Sequence, residues 1–272
     1  MSNPVFSNSP VFGDPNDKRV REARARAGVG ATTTQTIDAV TLDKMYEAPS
    51  ATPRETGRLT YDDVIIKTAG VFSLLVVSAA VTWTLVPGLW MVGAVVGLVL
   101  GLVNAFKREP SPVLIALYAV AQGMFLGGIS LYFEQQWPGI VVQAVLATFS
   151  VFAASLFLFR SGRVRVTGKF VRWLLIAMVG YLVFSLVNVV LMFVVPNGGE
   201  FGPLRAGWLG VAVGLLAVGL AAASLIVDFD SIKRGVEQGV PAKFAWSAAF
   251  GLTVTLVWLY LELLRLIAIF RE

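Results

Sequence analysis

RAGWLGVAVGLLAVGLAAASLIVDFDSIKRG, residues 205–235, is a long apolar run that ends in two carboxylates and two cations. A second apolar run follows a short polar loop and contains LYLELLR, residues 259–265. A charged side chain deep in a bilayer costs several kcal/mol, so carboxylates kept there line a water-filled path or form a paired, buried site. Asp228 and Glu262 are therefore the first candidates for function.

Small residues recur along the first run at steps of three and four, which places them on one face of a helix. This small-residue stripe ends at Asp228 and consists of Gly207, Gly210, Gly214, Ala217, Ala221, Ser224 and Asp228. In lipid such stripes let helices approach closely, so Asp228 is predicted to face protein. Asp230 lies beside Lys233 and Arg234 and is predicted to sit at the level of the lipid headgroups.

A matching semi-polar stripe runs along the second apolar segment. Its members are Ala248, Gly251, Thr255, Trp258, Glu262 and Arg265. One interpretation makes Glu262 an acidic site on an ion path. The other makes it one partner of an i,i+3 ion pair with Arg265 near the end of a helix.

The composition is that of an integral membrane protein. Of 272 residues, 56% are hydrophobic and 14% are charged, and the mean hydropathy is +0.74; soluble domains carry about a quarter charged residues. The chain has no cysteine and no histidine, which excludes disulfides, thiolate metal sites and the usual near-neutral proton switch. Any pH response is therefore expected from carboxylates. The net charge of +5 reflects cations in loops, and no nucleic-acid partner is predicted.

Seven apolar runs are each near the twenty or so residues that cross a bilayer. These predicted spans are Val64–Val86, Gly88–Phe106, Val113–Phe133, Gly139–Phe159, Trp173–Val195, Ala206–Ile232 and Ala245–Phe270. The sequence thus predicts an all-α transmembrane domain over residues 59–272.

Residues 1–58 differ from the rest of the chain, being rich in Ser, Pro, Thr, Asn and charge, and are predicted to be a disordered cytoplasmic tail that could dock a protein partner. The beginning of the sequence lacks the pattern of a signal peptide. Basic residues cluster in the loops that share a side with this tail, whereas the opposite loops carry Glu134, Glu200 and the single Arg205. The positive-inside rule then predicts a plasma-membrane protein with a cytoplasmic N-terminus and an external C-terminus.

Other polar side chains fall inside the predicted spans. Gln122, Asn188 and Ser224 are candidates for lining an ion pathway. The alternative for the two amides is an interhelical hydrogen bond.

Several motifs together resemble the Bax inhibitor-1 family, in its bacterial, actinobacterial-type branch. They are QGMFLGGIS at 122–130, DFDSI at 228–232, LYLELLR at 259–265, LTYDDVIIKT at 59–68 and AWSAAFG at 245–251. The resemblance covers about residues 59–270 and leaves the tail outside.

This resemblance implies six helices wrapped around a central seventh and a pH-sensitive calcium leak gated by two aspartates on the sixth and seventh helices. Asp228 matches the first aspartate. The second position falls on Glu262 if LYLE is aligned and on Thr255 if LLR is aligned. From the residues alone, two straight helices joined by a loop centred near Gln238 place Thr255 roughly 10 Å and Glu262 roughly 20 Å deeper than Asp228.

The leading hypothesis is a cation leak with calcium as the permeant ion and no other cofactor. Asp228, alone or with Asp230, forms the inner gate and could hold calcium, which takes oxygen ligands; Glu262 is a separate outer acidic site. The protein is expected to be a monomer. It is also expected not to be an enzyme, because no Gly-x-Gly-Asp protease motif accompanies the aspartates. The alternative is a non-conducting adaptor or regulator, for example of membrane-protein proteolysis or a stress response, that acts through its tail.

Overall fold

The computed structural model describes Lys18, Glu22, residues 56–195 and residues 201–271. Seven helices long and apolar enough to cross a membrane are found among these residues. They are α1 (Tyr61–Leu85), α2 (Trp90–Phe106), α3 (Pro112–Gln136), α4 (Ile140–Arg160), α5 (Gly168–Val194), α6 (Gly207–Glu237) and α7 (Ala245–Ile269). The predicted all-α fold with seven spans is confirmed.

Helices α5 and α6 extend furthest beyond the ends of the predicted spans. Helix α5 begins at Gly168 rather than Trp173, and α6 continues to Glu237 rather than ending at Ile232. Hydropathy detects only the apolar part of a helix, whereas hydrogen bonding continues through charged turns. At the start of α5, the Thr167 side chain caps the helix by accepting a hydrogen bond from the Phe170 N–H at 3.2 Å.

The beginning of α1 is fixed by its own residues and by a loop from the other end of the domain. Thr60 caps the helix reciprocally with Asp63, its hydroxyl accepting from the Asp63 N–H at 3.1 Å. Leu59 N–H then donates to the Val240 carbonyl, and Ala242 N–H donates to the Gly57 carbonyl, both at 2.8 Å. Residues 57–59 thus pair with the α6–α7 loop. The prediction that residues 1–58 are disordered concerns residues that lie almost wholly outside the described part of the chain.

The helices alternate in direction, so the bundle has two faces. The N-terminal face holds the start of α1 and the α2–α3, α4–α5 and α6–α7 loops; there Lys243 pairs with Glu109 at 2.9 Å. The C-terminal face holds the end of α7 and the remaining loops. Arg271 there donates to the Pro138 carbonyl at 2.9 Å.

Helix α7 occupies the centre of the bundle. Two thirds of its most apolar stretch (67%) is buried, against 11% for both α2 and α5. It packs against α1, α3, α4 and α6, while α2 packs mainly on α3 and α5 mainly on α6. The predicted central seventh helix is confirmed, with two of the other six lying at the periphery.

Glycines allow a close approach between α1 and α3. A Cβ added at Gly127 would lie 2.3 Å from the Ala79 carbonyl oxygen, and one at Gly123 would lie 2.4 Å from that of Leu75. No larger residue fits without moving a helix. Two small residues four apart thus form the contact, as in other membrane helix pairs.

Candidate functional site

Asp228 and Thr255 face each other between α6 and α7. The Thr255 hydroxyl donates to Asp228 Oδ2 at 2.8 Å. Thr255 is buried and Asp228 is half-buried. In the part of the chain that the structure describes, no lysine or arginine forms an ion pair with Asp228. A carboxylate inside the bundle therefore has a neutral hydroxyl as its partner.

The observed register corrects the expectation that Thr255 lies roughly 10 Å deeper than Asp228. The two residues are level, so the connection is centred near Pro241 and Ala242 rather than near Gln238. Helix α6 runs on to Glu237, and a 3₁₀ turn, Ala242–Phe244, precedes α7. Of the two alignments, the structure places Thr255 opposite Asp228 and leaves Glu262 two turns away.

The neighbours of Asp228 on α6 have partners of their own. Asp230 pairs with Arg234 one turn on, at 2.9 Å. Ser224, one turn earlier and buried, lies with its hydroxyl 3.4 Å from the Met178 sulfur on α5. Ser224 is close to the Asp228 pair along α6, but its hydroxyl is directed at α5.

Glu262 is the centre of a second polar group, the Glu262 cluster, which joins α5, the turn before α6, and α7. Its carboxylate oxygens accept hydrogen bonds from Arg205 at 3.3 Å, from Arg265 at 3.1 and 3.2 Å, from Trp258 at 3.3 Å and from the Tyr181 hydroxyl. The residue is only 3% exposed. The i,i+3 pair with Arg265 exists, and it is one part of a larger group.

Arg205 is a member of the Glu262 cluster that the sequence did not single out. It was assigned to an external loop, yet it lies in the 3₁₀ turn Pro203–Arg205 and is 4% exposed. Its guanidinium reaches Glu262, and it also donates to the Tyr181 hydroxyl at 2.6 Å and to Ser185 at 2.9 Å. The sequence does carry one signal of a polar partner for α5, because Tyr181, Ser185 and Asn188 recur on one face of this helix.

The two intramembrane amides lie elsewhere. Asn188 clamps the turn before α6, donating to the Phe201 carbonyl at 2.7 Å and accepting from Leu204 N–H at 3.0 Å. Gln122 packs over Gly97, where an added Cβ would meet its amide nitrogen at 2.8 Å, and so belongs to the α2–α3 contact. Neither amide is placed at Asp228.

The chemistry open to these groups follows from their donor sets. No three His, Cys, Asp or Glu side chains converge on a metal ion anywhere in the described residues. Calcium prefers six to eight oxygens, so the side chains of Asp228 and Thr255 alone supply too few ligands for a complete calcium site. Glu262, by contrast, has its oxygens occupied by donors.

The comparison with protein families gives one match, and it covers nearly the whole chain. The family model described as Bax inhibitor 1 like matches residues 3–272. The match includes the N-terminal tail, which the sequence motifs had left outside the resemblance. A separate search of curated proteins found no match.

Proposed function

The chain belongs to the Bax inhibitor-1 family, and we propose that it is a pH-sensitive calcium leak of the plasma membrane, gated at Asp228. The single observation that carries this proposal is the hydrogen bond between Asp228 and Thr255, a half-buried carboxylate held by a neutral partner. Carboxylates at such positions mark ion pathways and proton relays in membrane proteins.

The gate works through competition between a proton and a cation. A carboxylate with no internal counter-ion is neutralised either by protonation or by a passing cation, and the two exclude each other. Calcium occupancy at Asp228 therefore falls as the pH falls. Thr255 replaces a second carboxylate in this arrangement, so the proposed gate has one titrating group, and Asp230 is engaged by Arg234.

Glu262 is not part of the ion-binding gate in this proposal. Its oxygens already accept from two guanidinium groups, a phenol and an indole. A cation would have to displace these donors while lying close to two positive charges. We therefore propose that Glu262 has a structural role and is not the outer acidic ion site that the sequence suggested.

The proposed orientation in the membrane rests on the cations at the N-terminal face. Arg58, Lys107, Arg108 and Lys243 lie at this face or in its loops, and the positive-inside rule orients it toward the cytoplasm. Asp228 then lies in the cytoplasmic half of α6. We propose transport by a monomer, without a catalytic step or a bound cofactor.

The test is calcium efflux from proteoliposomes between roughly pH 5 and 8. We would compare the wild type with Asp228→Asn and with Glu237→Gln as a matched control. Glu237 is an exposed carboxylate on the same helix, 3.8 Å from Lys233. Wild type and the control should show the same pH-dependent efflux, whereas Asp228→Asn should have efflux that no longer varies with pH.

Two results would contradict the proposal. Efflux from wild-type proteoliposomes equal to that from empty liposomes would exclude a leak. Unchanged pH dependence in Asp228→Asn would exclude Asp228 as the gate. Adding Asp230→Asn to the series then shows whether the neighbouring carboxylate carries the response.

A second candidate is the non-conducting adaptor that acts through its N-terminal tail. It draws support from the family match, which begins at residue 3 and so includes the tail. Deleting residues 2–55 tests it and spares the pairing of Gly57 and Leu59 with the α6–α7 loop. If the deletion abolishes the effect of the protein in cells and leaves calcium efflux intact, the adaptor is favoured. If the effect in cells is unchanged, the adaptor is excluded.

A further inference from the structure

A cavity of about 910 Å³ lies between α3, α5 and α7. Most of its wall is apolar, with Phe125 and Ile129 on α3, Leu182 and Val189 on α5, and Leu261 on α7. Leu182 and Val189 are also 57% and 48% exposed, so the cavity opens sideways at the surface of the bundle. In a bilayer that opening faces lipid.

The polar end of this cavity carries an excess of positive charge. Arg205, Arg265 and Glu262 all line it, which gives two guanidinium groups against one carboxylate. No other described residue that lines the cavity is charged. An uncompensated charge in a low-dielectric site is costly, and an anion at this position would remove the imbalance.

Arg265 has the free donors for such an anion. Its Nη1 binds both oxygens of Glu262, whereas its Nε and Nη2 have no partner among the described residues. Its side chain is 29% exposed, compared with 5% for Arg205. Guanidinium groups bind phosphate oxygens well in this way, because two parallel N–H groups can meet two oxygens.

The depth of Arg265 also fits a lipid headgroup. It lies four residues before Ile269, the last residue of α7, and therefore about 6 Å from the end of the helix. Trp90, the first residue of α2, lines the same cavity near the same face. Tryptophan at this level is typical of the membrane–water interface.

We propose that this cavity binds an anionic phospholipid of the surrounding bilayer. The headgroup phosphate accepts hydrogen bonds from the free Arg265 donors, and an acyl chain occupies the apolar cleft between α3 and α5. The mostly apolar wall suits an acyl chain, because ordered water molecules need about two to four polar partners each. The proposal is independent of ion conduction, and its test measures no flux.

The experiment is native mass spectrometry of the full chain released from bilayers of phosphatidylcholine with phosphatidylglycerol. It compares wild type, Arg265→Gln and Arg271→Gln as the matched control. Arg271 lies just beyond α7 at the same face, and its contact is the Pro138 carbonyl. The wild type and the control should retain phosphatidylglycerol over phosphatidylcholine to the same degree. Arg265→Gln should lose this preference by about tenfold, the loss of one charge-assisted contact.

A second variant keeps the test decisive if Arg265→Gln folds poorly. Ile129→Trp fills the cleft and leaves every charge in place, and it should also lower phosphatidylglycerol retention. Equal retention in Ile129→Trp and wild type would overturn the acyl-chain part of the proposal. Equal loss in Arg265→Gln and Arg271→Gln would show only general surface attraction. Competition by inorganic phosphate at the same concentration as the lipid would identify a soluble-anion site instead.

Discussion

Asp228 and Glu262 are both carboxylates inside the helix bundle, but their surroundings are opposite. Asp228 meets Thr255, whereas Glu262 lies seven residues further along α7, about 10 Å away. The first accepts one hydrogen bond from a neutral hydroxyl, and the second accepts bonds from four side chains, two of them cationic. Charge in a membrane protein therefore does not by itself mark a pathway. The hydrogen-bond partners separate a carboxylate with a single neutral partner from one that ties several segments together.

The largest effect that this comparison predicts is on stability. Glu262→Gln leaves the buried Arg205 and its neighbour Arg265 without a counter-charge, and should lower the free energy of unfolding by about 3–5 kcal/mol. Asp228→Asn should change it by no more than about 1 kcal/mol, because the amide oxygen still accepts from Thr255. Unfolding of the purified variants in mixed micelles, followed by circular dichroism, measures both.

A double variant separates lost charge balance from lost packing. Arg205→Met with Glu262→Met removes the pair and keeps side-chain volume, so it should recover at least half of the loss seen for Glu262→Gln. Arg265 remains, and it is partly exposed. A double variant as unstable as Glu262→Gln would show that the individual hydrogen bonds, and not the balance of charge, hold this end together. Equal losses of stability in Glu262→Gln and Asp228→Asn would show that the two carboxylates do not differ in what they contribute to the fold.

The sequence predicts the bundle well and the sites less well, for a physical reason. Transmembrane spans follow from local composition, so their number and order could be predicted from the apolar runs. The stripe of small residues likewise indicated that α6 packs closely on a neighbour. Contacts between distant segments depend on register, and a loop or turn of a few residues shifts the register by whole helical turns.

Thr255 and Arg205 illustrate that limit. Placing Thr255 opposite Asp228 requires knowing that α6 extends to Glu237 and that a 3₁₀ turn precedes α7. Burying Arg205 requires that the turn before α6 folds inward onto α5, where Asn188 clamps it. Hydropathy assigns a lone arginine two residues after a proline to a loop. The partners that make its burial possible come from two other helices.

A smaller effect is expected where α6 passes the Arg205 turn. A Cβ at Gly210 would lie 2.1 Å from the Arg205 carbonyl oxygen, so Gly210→Ala displaces the backbone that carries the guanidinium. We expect a loss of about 1–3 kcal/mol. Gly219→Ala is the matched control on the same helix, since nothing lies within 4 Å of its added Cβ. It should be neutral or stabilise by up to about 1 kcal/mol.

The same pair of variants also sharpens the contrast between the two sites. Gly210→Ala should disturb the Glu262 cluster and spare the pH dependence of efflux, because Asp228 lies 18 residues further along α6. An equal loss of stability in both glycine variants would show that the close approach to the Arg205 carbonyl does not set the effect.

The smallest effect is expected for the exposed ion pair of Glu109 with Lys243 at the N-terminal face. The hydrogen bond and charge of Lys243 hold the pKa of Glu109 below its ordinary value of 4.5. A carboxyl whose pKa is lowered by folding stabilises the fold above pH 4.5, and this contribution is lost as the pH falls through the lowered pKa. The free energy of unfolding of Glu109→Gln should therefore be slightly below that of wild type at neutral pH and equal to it in strong acid.

Salt provides the discriminating condition for this pair. The side chains of Glu109 and Lys243 are 73% and 50% exposed, so mobile ions screen their attraction. The side chains of Arg205 and Glu262 are each 5% exposed and are screened far less. Raising the salt concentration should abolish the difference in the free energy of unfolding between Glu109→Gln and wild type. The loss of stability in Glu262→Gln should remain nearly the same. If added salt reduced both differences alike, the Glu262 cluster would have to be accessible to water. The contrast between Glu262 and Asp228 would then fail.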